Sequence, residues 1–493
     1  MRLRRMGIDT YRQPVVYMRS DCPVCRSEGF EAQSLVEARV GDRVIVAVLN
    51  VVTDGALDHH VAGVSEVAWR MLAAREGDVV TFAHPPTLDS FGLVRAKMYG
   101  RRLDEAAFRA IVADVGAGRY SDAHIAAFLT ACAGARMDVG EMSALTRAMV
   151  DAGERLSWGR SFVLDKHCVG GLPGNRTTPI VVAIVAAAGF TIPKTSSRAI
   201  TSPAGTADTM EQLAPVDLDL AAMRRVVERE GGCVAWGGAV RLSPVDDVLI
   251  RVEHPLDIDS EGQLVASILS KKAAAGATHV LLDIPVGPTA KVRSAETAAA
   301  LARDLEEVGR AVGLTVKAIQ TDGTQPIGRG VGPALEARDV LAVLRGDADA
   351  PADLRDRALL VAGEVLQLAP GAAPGTGRPL AAEVLADGRA WRKFQAICEA
   401  QGGMREPGCA AWTREIGSTR PGTVVGVDNR RLARVAKLAG APKAPTAGLV
   451  FHTPVGSRVI AGQPLYTLHA EAPGELEYAL AYAARHPDIV EVA

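Results

Sequence analysis

The sequence predicts a multidomain α/β protein with an N-terminal β-rich module, a small all-α domain, a central, mainly parallel α/β domain and a C-terminal α+β domain. Three observations predict it: β-branched segments near the N-terminus, helical apolar spacing from about 90 to 157, and alternating strands and helices from about 160. The expected boundaries are 1–88, 89–160, 161–345 and 346–493, with a segment near 243–275 returning to the α domain. The 493 residues, 48% of them hydrophobic, suffice for several cores.

The N-terminal module and the α domain are predicted from two different patterns. Runs rich in β-branched residues at 35–40 and 43–48 are separated by Gly41-Asp42, which predicts a hairpin, and an apolar run at 79–82 closes the module. After residue 90 the apolar residues recur at the spacing of a helix. The predicted helices of the α domain are 103–116, 121–133 and 139–153.

Strands and helices alternate through the central domain, and this order predicts a mainly parallel sheet with helices on both faces. The predicted strands are 162–164, 191–193, 233–236 and 280–284, and the predicted helices are 178–188, 221–230 and 295–312. The Ala-, Pro- and Gly-rich stretch 345–380 predicts a surface connection around one helix, 354–368. The last hundred residues are β-rich, with strands predicted at 422–426, 448–451 and 463–468.

Charge and composition exclude several classes of function. The formal net charge is −2, so no general electrostatic attraction to nucleic acid or to an acidic membrane is expected. Aromatic residues make up 4% of the chain, too few for a surface that stacks single-stranded bases. No apolar run predicts a membrane span and no secretory signal is recognised. The seven cysteines are therefore expected as reduced thiols in a cytoplasm.

A glycine-rich segment gives the strongest indication of a ligand site. Residues 165–178 follow a predicted strand, open a predicted helix and contain Gly170-Gly171. Glycines let the backbone approach a ligand closely, and a helix N-terminus presents free N–H groups to an anion. With the charge of Lys166 and the hydroxyl of Thr178, the segment predicts a phosphate site. The alternative is a tight turn with nothing bound.

A second polar segment follows the next predicted strand. Residues 194–208 contain Lys194, Arg198 and many hydroxyl groups. Loops that follow parallel strands meet at the carboxyl edge of the sheet, so the two segments are expected to line one anion-binding crevice. The alternative is a solvated loop with a helix cap.

A third segment combines a helix cap with a polar stripe. Residues 259–272 form a predicted helix capped by Ser260, which carries Gln263, Ser267 and Lys271 on one face. In a cleft, that stripe suits a planar heterocycle with carbonyl acceptors. Taken alone, the pattern favours simple solvent exposure.

These segments resemble the thymidine phosphorylase and AMP phosphorylase family. The motifs that carry the resemblance are Asp165-Lys166-His167 with Gly170-Gly171, Ser197 to Ser202 with Ala204 to Asp208, Ala266 to Lys272, and Thr321 to Pro326. The resemblance runs from about residue 90 to the C-terminus, and the N-terminal module matches the longer, AMP phosphorylase-like branch. The family implies a homodimer or higher homo-oligomer, with the active site between the α domain and the α/β domain.

The resemblance implies a role for each matching residue. The phosphate-contacting positions are Lys166, Thr178, Ser196 and Thr206, and the base-contacting positions are His167, Arg251, Ser267 and Lys271. In the AMP branch, Asp259 matches the proton donor to the leaving base. The nucleotide-binding positions of that branch are Gly171, Ser197, Arg198, Ala199, Ile200, Thr201, Ser202, Thr206, Ser267 and Lys291. Cys168 stands where the family usually has a serine that donates to phosphate, and a thiol is a weak donor.

The implied reaction is phosphorolysis of an N-glycosidic bond. Inorganic phosphate attacks the anomeric carbon as the base leaves, through a transition state with oxocarbenium character. Lys166 and the hydroxyls orient phosphate, and Arg251 and Lys271 contact the base. Asp259 or His167 protonates the leaving nitrogen.

Two substrate classes fit this resemblance. A nucleoside 5′-monophosphate needs a second anion site, for which Lys291 and Arg198 are the candidates, whereas a pyrimidine nucleoside needs only one. The same architecture also supports phosphoribosyl transfer, which would need pyrophosphate and Mg²⁺ sites, or a non-catalytic docking role. Phosphate is the expected co-substrate, with no cofactor and no metal. Cys22 and Cys25 have the spacing of zinc ligands but lack a second pair, so structural thiols are expected.

Overall fold

The computed structural model describes residues 1–11, 13–134, 136–199, 202–240, 242–256 and 260–493. The chain divides into a first unit, Met1–Arg101 with Ala110–Phe128, and a second unit, Arg102–Arg109 with Leu129–Ala493. The elements up to residue 153 are β1 (Arg2–Arg5), β2 (Val15–Arg19), α1 (Pro23–Glu28), β3 (Leu35–Val40), β4 (Arg43–Val52), β5 (Val61–Val64), α2 (Glu66–Leu72), β6 (Thr81–Ala83), α3 (Asp89–Met98), α4 (Glu105–Gly116), α5 (Asp122–Cys132) and α6 (Val139–Asp151).

The first unit contains a mixed sheet with strand order β1-β5-β2-β4-β3-β6. β3 and β4 form the antiparallel hairpin predicted from Gly41-Asp42, and Gly41 takes the left-handed backbone conformation (φ +57°) that the turn requires. β2 runs parallel to β4 and antiparallel to β5. Alternate side chains of β3, such as Val36 and Ala38, are buried in the core of this module, as the pattern of period two predicts.

The central part of the second unit alternates strands with helices. Its elements are β7 (Leu164–Cys168), α7 (Thr177–Ala187), β8 (Ile192–Ser196), α8 (Thr206–Glu211), α9 (Leu220–Glu230), β9 (Gly232–Trp236), α10 (Pro244–Leu256), α11 (Glu261–Ala274), β10 (His279–Val286), α12 (Ala295–Ala311), β11 (Thr315–Asp322), β12 (Gly330–Val331), α13 (Pro333–Arg345), α14 (Ala352–Leu366), α15 (Gly377–Ala386) and α16 (Arg389–Gln401). The strands in the order β11-β10-β7 and the pair β8-β9 are parallel. The predicted α/β class is therefore confirmed.

The first central strand begins later than the sequence predicted. The expected strand at 162–164 is observed as β7, Leu164–Cys168, so Asp165 and Lys166 lie inside the sheet rather than in the loop after it. Both side chains are 1% exposed. The hydrophobic pattern misses this strand because its charges are buried: Asp165 forms ion pairs with Lys194 and Lys272, and Lys166 donates to the hydroxyl of Thr177.

Within the Ala-, Pro- and Gly-rich stretch after residue 345, the predicted helix 354–368 is observed as α14 and the flanking residues 345–349 and 370–376 are largely exposed, but the helix itself lies in the core. Helix α14 is buried along one side through Leu354, Val361 and Val365, and it packs against α7 together with α15 and α16. The sequence assigned these three helices to the C-terminal domain, but their apolar residues lie in the same core as those of α7 and α13. Small side chains allow these helices to pack closely together, whereas the composition alone suggested a connection on the surface.

The C-terminal part of the second unit forms its own core. Its elements are β13 (Trp412–Gly417), β14 (Gly422–Val427), α17 (Asn429–Leu438), β15 (Gly448–Phe451), β16 (Arg458–Val459), β17 (Pro464–Ala470), α18 (Pro473–Arg485) and β18 (Val490–Val492). Antiparallel strands in the order β12-β15-β17-β13 pack with α17 and α18, which confirms the predicted α+β character. Among the described residues, none of the helices combines the length and the apolar character that crossing a membrane requires.

Candidate active site

Two loops leave the carboxyl ends of parallel strands in the second unit. The glycine loop, residues 169–176, joins β7 to α7, and the serine loop, residues 197–205, joins β8 to α8. The strands β7 and β8 begin side by side, where Leu164 N–H donates to Thr191 O at 2.9 Å. The sequence therefore placed both polar segments correctly at the carboxyl edge of the sheet, which is the usual ligand-binding edge of such folds.

Glycine is required in the glycine loop because other chain segments approach it closely. Gly170 and Gly171 have φ values of +94° and +82°. A Cβ on Gly171 would lie 2.4 Å from the backbone nitrogen of Lys291, and one on Gly174 would lie 2.3 Å from Ile327 O. The fold thus brings together Gly171 and Lys291, two residues that the sequence analysis named separately.

Lys166 lies beneath the glycine loop and faces the start of α7. Its Nζ donates to Thr177 Oγ1 at 2.8 Å, and Thr178, beside it in the first turn, is also buried. No side chain caps the N-terminus of α7 within the described chain, but Thr177 N–H donates to Asn175 O at 2.9 Å and Pro179 has no N–H, so Thr178 N–H is the first-turn group left to an anion. Burial lowers the pKa of Lys166, while the neighbouring Cys168 and Asp283 oppose that shift.

Arg176, to which the sequence analysis gave no role, joins the two loops. Its Nη1 donates to Thr206 Oγ1 at 2.6 Å and its Nη2 donates to Ala204 O at 3.0 Å. Its Nε donates to Glu336 Oε2 at 2.7 Å. In the sequence, Arg176 is marked only as an arginine directly before a helix in a glycine-rich loop. Its partner Glu336 lies 160 residues further along the chain, so no local pattern reveals the pair.

The serine loop folds tightly around the carboxylate of Asp208. Asp208 Oδ2 accepts from the N–H groups of Ala199 and Gly205 at 2.7 and 2.9 Å. A Cβ on Gly205 would lie 2.6 Å from Ser197 O, so the loop closes on itself at this glycine. Ser202 Oγ donates to Ala204 O at 2.9 Å. The predicted site residues Ile200 and Thr201 lie outside the described residues.

Ser196 and Arg198 flank the start of the serine loop but differ in how they are bonded. The Oγ of Ser196 is buried and, as far as the chain is described, has no hydrogen-bond partner. Arg198 donates to both carboxylate oxygens of Glu211 at 2.6 and 2.9 Å, and its guanidinium lies 4.9 Å from the ring centroid of Trp236. The pKa of Arg198 is raised, chiefly by Glu211. Ser196 Oγ is thus free to bind a ligand, whereas the charge of Arg198 is already compensated.

Helices α10 and α11 carry the residues expected to contact the base. Arg251 lies half-buried on α10, and Ser267 lies half-buried on α11. Gln263 is 2% exposed, so the polar stripe of α11 is not the solvent-exposed face that its pattern alone favoured. The Nζ of Lys271 lies 2.5 Å from Asp246 Oδ2. Asp259, the proton donor implied by the resemblance, lies outside the described residues.

The charge of Lys271 is maintained although the residue is largely enclosed. Burial alone would lower the pKa of Lys271, but Asp246 and the nearby Asp247 and Glu253 raise it above its ordinary value. Lys271 is therefore a full cation on the side of α11 that lies next to Asp246. A cation there can stabilise negative charge on a departing base.

His167 lies among cations and is therefore neutral. Burial and the charges of Lys272, Lys194, Lys271 and Lys166 lower the pKa of His167 well below its ordinary value. A neutral imidazole donates one hydrogen bond and accepts another. His167 is consequently suited to hydrogen bonding with a base, and less suited to supplying a proton at neutral pH.

The cations around His167 are balanced by a carboxylate that the sequence analysis did not select. Lys272 Nζ lies 2.9 Å from Asp165 Oδ2, and Lys194 Nζ lies 3.8 Å from Asp165 Oδ1. All three side chains are at most 5% exposed. These contacts attach α11 and β8 to β7, two residues before His167.

Cys168 is not a nucleophile in this setting. Burial and the charge of Asp283 raise the pKa of the Cys168 thiol to about 12, so the thiolate is absent at neutral pH. Cys168 and Asp283 are paired in register between β7 and β10. Asn175 Nδ2 lies 3.5 Å from Cys168 Sγ, which makes the sulfur an acceptor within the glycine loop.

The described residues offer no group of three or more His, Cys, Asp or Glu side chains arranged to hold a metal ion. Cys22, which has zinc-ligand spacing with Cys25, caps α1 instead: its Sγ accepts from Cys25 N at 3.3 Å. Both thiols are buried, and burial together with Cys22 raises the pKa of Cys25 to about 12. Cys22 thus has a structural role as the N-cap of α1.

Comparisons with known proteins agree with this site. Residues 92–153 match the helical bundle domain of a glycosyl transferase family, residues 160–391 match its α/β domain, and residues 423–489 match the pyrimidine nucleoside phosphorylase C-terminal domain. A Polaromonas protein named "Putative thymidine phosphorylase" is 65% identical over 100% of this chain and 96% of its own. A Hahella chejuensis protein of the same name is 58% identical over 99% of this chain and 97% of its own.

The fold is also similar to a solved structure. Anthranilate phosphoribosyltransferase from Thermus thermophilus superposes with a TM-score of 0.52 at 22% identity, covering 62% of this chain and 98% of that chain. At this identity the similarity concerns the fold alone. Full-length identity of 58 to 65% to the bacterial relatives, together with the three domain matches, decides the family. The chain belongs to the thymidine phosphorylase family and is a pentosyltransferase of the nucleoside phosphorylase type.

Proposed function

We propose that this enzyme cleaves nucleoside 5′-monophosphates with inorganic phosphate, releasing the free base and a pentose 1,5-bisphosphate. The observation that carries the proposal is the position of Lys291. Its backbone lies against Gly171 of the glycine loop, and its side chain is exposed. In the described ranges its ammonium makes no ion pair, so it can bind the 5′-phosphate beside the attacking phosphate.

The proposed reaction uses the site residues in three groups. Lys166, Ser196 and the hydroxyls of Thr178 and Thr206 hold inorganic phosphate in line with the glycosidic bond. His167 contacts the base by hydrogen bonds. The remaining base contacts and the leaving-group charge are assigned to Arg251, Ser267 and Lys271, and proton donation is assigned to Asp259.

A second candidate function is phosphorolysis of pyrimidine nucleosides alone. The bonding of Arg198 favours it, because Glu211 and the ring of Trp236 already engage the guanidinium. That leaves Lys291 as the remaining candidate of the two cations proposed for a second anion site. The names of the bacterial relatives also favour a nucleoside substrate.

Base release from a panel of nucleosides and nucleoside 5′-monophosphates, with and without phosphate, separates these functions. Phosphate-dependent release from monophosphates is the expected result, and it should persist in EDTA because no metal or cofactor is proposed. Release from nucleosides alone would establish the second candidate. Release that requires Mg²⁺ and pyrophosphate would instead indicate phosphoribosyl transfer.

Replacing Lys291 tests the 5′-phosphate contact directly. Lys291→Ala should raise KM for a monophosphate by about tenfold or more and leave KM for the matching nucleoside within about twofold, since one charge-assisted hydrogen bond is lost. Arg293→Ala is the matched control, because it removes an exposed cation two residues away. Equal effects of Lys291→Ala on both substrates would remove Lys291 from this role.

A further inference from the structure

A buried ion pair lies behind the two loops of the candidate site. Arg176 ends the glycine loop, and Glu336 lies in the first turn of α13. Nε and Nη2 of Arg176 lie 2.7 and 2.6 Å from Oε2 of Glu336. The side chains are 12% and 1% exposed. The charge of Arg176 is therefore already compensated, and Arg176 is not needed as a phosphate ligand.

The pair is held on several sides. Glu336 Oε1 accepts from Gly332 N at 3.2 Å, and Glu336 Oε2 also accepts from Thr209 Oγ1 at 3.2 Å. The guanidinium makes further bonds to the end of the serine loop and the start of α8, at Ala204 O and Thr206 Oγ1. One side chain thus bridges the glycine loop, the serine loop and α13.

The direction of one hydrogen bond gives this bridge a chemical consequence. A guanidinium only donates, so Thr206 Oγ1 accepts the 2.6 Å bond from Arg176. The hydroxyl proton of Thr206 must then point away from Arg176. A phosphate bound between the two loops is an acceptor for that proton.

We propose that Arg176 and Glu336 are positioning residues of the phosphate site, which set the spacing of the glycine and serine loops and direct the Thr206 hydroxyl toward phosphate. This inference rests on the proposed function only in placing phosphate between the two loops. It holds for a nucleoside and for a nucleotide substrate. The alternative is that the pair only stabilises the fold.

The positioning role and the purely stabilising role predict different effects on phosphate binding when both residues of the pair are replaced by apolar ones. Removing one partner leaves a buried charge, whereas replacing both with apolar side chains of similar volume often leaves a protein as stable as before. We therefore expect the double variant Arg176→Met/Glu336→Leu to fold, while it removes the donors to Thr206 and Ala204. Its effect on phosphate binding isolates the positioning role.

The experiment measures KM for phosphate, KM for the nucleoside or nucleotide, and the thermal midpoint of the double variant. The expected result is a midpoint close to that of the wild type, KM for phosphate raised by about tenfold, and KM for the organic substrate within about twofold. Wild-type KM for phosphate in a folded double variant would overturn the proposal. Lys393→Met/Glu230→Leu removes another interhelical ion pair and should leave both KM values unchanged.

A coupling measurement keeps the proposal testable if the double variant does not fold. Arg176→Lys keeps the charge but loses the planar fork, and it should raise KM for phosphate in the wild-type background. In the Thr206→Val background the same change should have little further effect, since the hydroxyl it directs is already absent. Additive effects would overturn the proposal. If the wild-type enzyme showed no phosphate-dependent base release, the proposed function would fail before these comparisons begin.

Discussion

Cys168, which by the resemblance stands where the family usually has a serine, gives the first prediction at the scale of single residues. It ends β7 directly before the glycine loop, where a hydroxyl would be the stronger donor to phosphate. Because its pKa is raised to about 12, the thiol stays protonated at working pH and remains a weak donor. Cys168→Ser should therefore lower KM for phosphate by about three- to tenfold, measured at saturating organic substrate.

Cys168→Ala provides the comparison for this prediction. If the thiol donates weakly to phosphate, KM should rise in the order Ser, Cys, Ala. If serine and alanine both leave KM unchanged, residue 168 does not contact phosphate, and a backbone N–H of the glycine loop fills that place. The Cys409→Ser change, at an exposed thiol, controls for unrelated effects of removing a cysteine.

Among single residues, the sequence indicated those site candidates whose positions depend on the local geometry of the chain. Lys166, Thr178 and Gly171 are recognisable because a strand, a glycine turn and a helix start follow one another within a few residues. Arg176 was not selected, because its function depends on Glu336 and no local pattern links two residues 160 positions apart. The lowered pKa of His167 was equally hidden, since it results from burial and from lysines that lie mostly on other elements.

The charges that join α11 and β8 to β7 give a prediction at the scale of elements. Asp165 on β7 faces Lys272 on α11 and Lys194 on β8, so two lysines share one buried carboxylate. Lys272→Met leaves a balanced pair of Asp165 and Lys194. Asp165→Asn leaves Lys272 buried without a counter-charge, while burial and Lys272 already lower the pKa of Lys194 well below its ordinary value. We expect Asp165→Asn to lose about 3–5 kcal/mol of unfolding free energy and Lys272→Met clearly less.

Chemical denaturation of the two variants, followed by the fluorescence of the tryptophans, checks this order. Comparing the unfolding free energies of the two variants measures the effect of an uncompensated buried charge rather than the effect of a lost hydrogen bond. Equal losses for both variants would mean that Lys194 does not compensate Asp165 when Lys272 is absent. In that case the 3.8 Å contact between Lys194 and Asp165 is energetically unimportant.

Elements with one apolar face were predicted well, whereas a strand that buries charged residues was not. The helices α4 to α6 and α12 appear within about two residues of their predicted ends, because their apolar residues recur at helical spacing. β7 was displaced because charged residues occupy buried positions in it. α14 was predicted within two residues of its observed ends, but its place in the core, where Leu354 and Val361 are fully buried, was not.

The division of the whole chain depends on long-range packing that composition does not reveal. The sequence ended the central domain at 345, yet α14, α15 and α16 contribute Val361, Val384 and Phe394 to the core of α7. Sequence periodicity reports which face of a helix is buried but not which neighbour covers it. The segment near 243–275 was by contrast expected to return to the α domain, and its helix α11 does pack against α6.

The stability of the second unit as a whole should depend on pH through Asp339. This carboxylate, on α13, accepts from Arg329 N and Gly330 N at 2.7 Å each, but burial raises its pKa to about 6. The folded state therefore binds more protons than the unfolded state between about pH 4 and pH 6, and stability falls as the pH rises through that window. Two pKa units correspond to at most about 3 kcal/mol.

The matched variant for this effect is Asp339→Asn, which keeps one acceptor oxygen but does not titrate. The unfolding free energy of the wild type, measured relative to the variant by chemical denaturation at pH 4.5, 5.5, 6.5 and 7.5, should decrease with rising pH. The decrease should level off above about pH 7, where Asp339 is ionised in both states. A difference that stays constant, or that grows in favour of the wild type, would show that the two backbone N–H groups stabilise the charge more than burial penalises it.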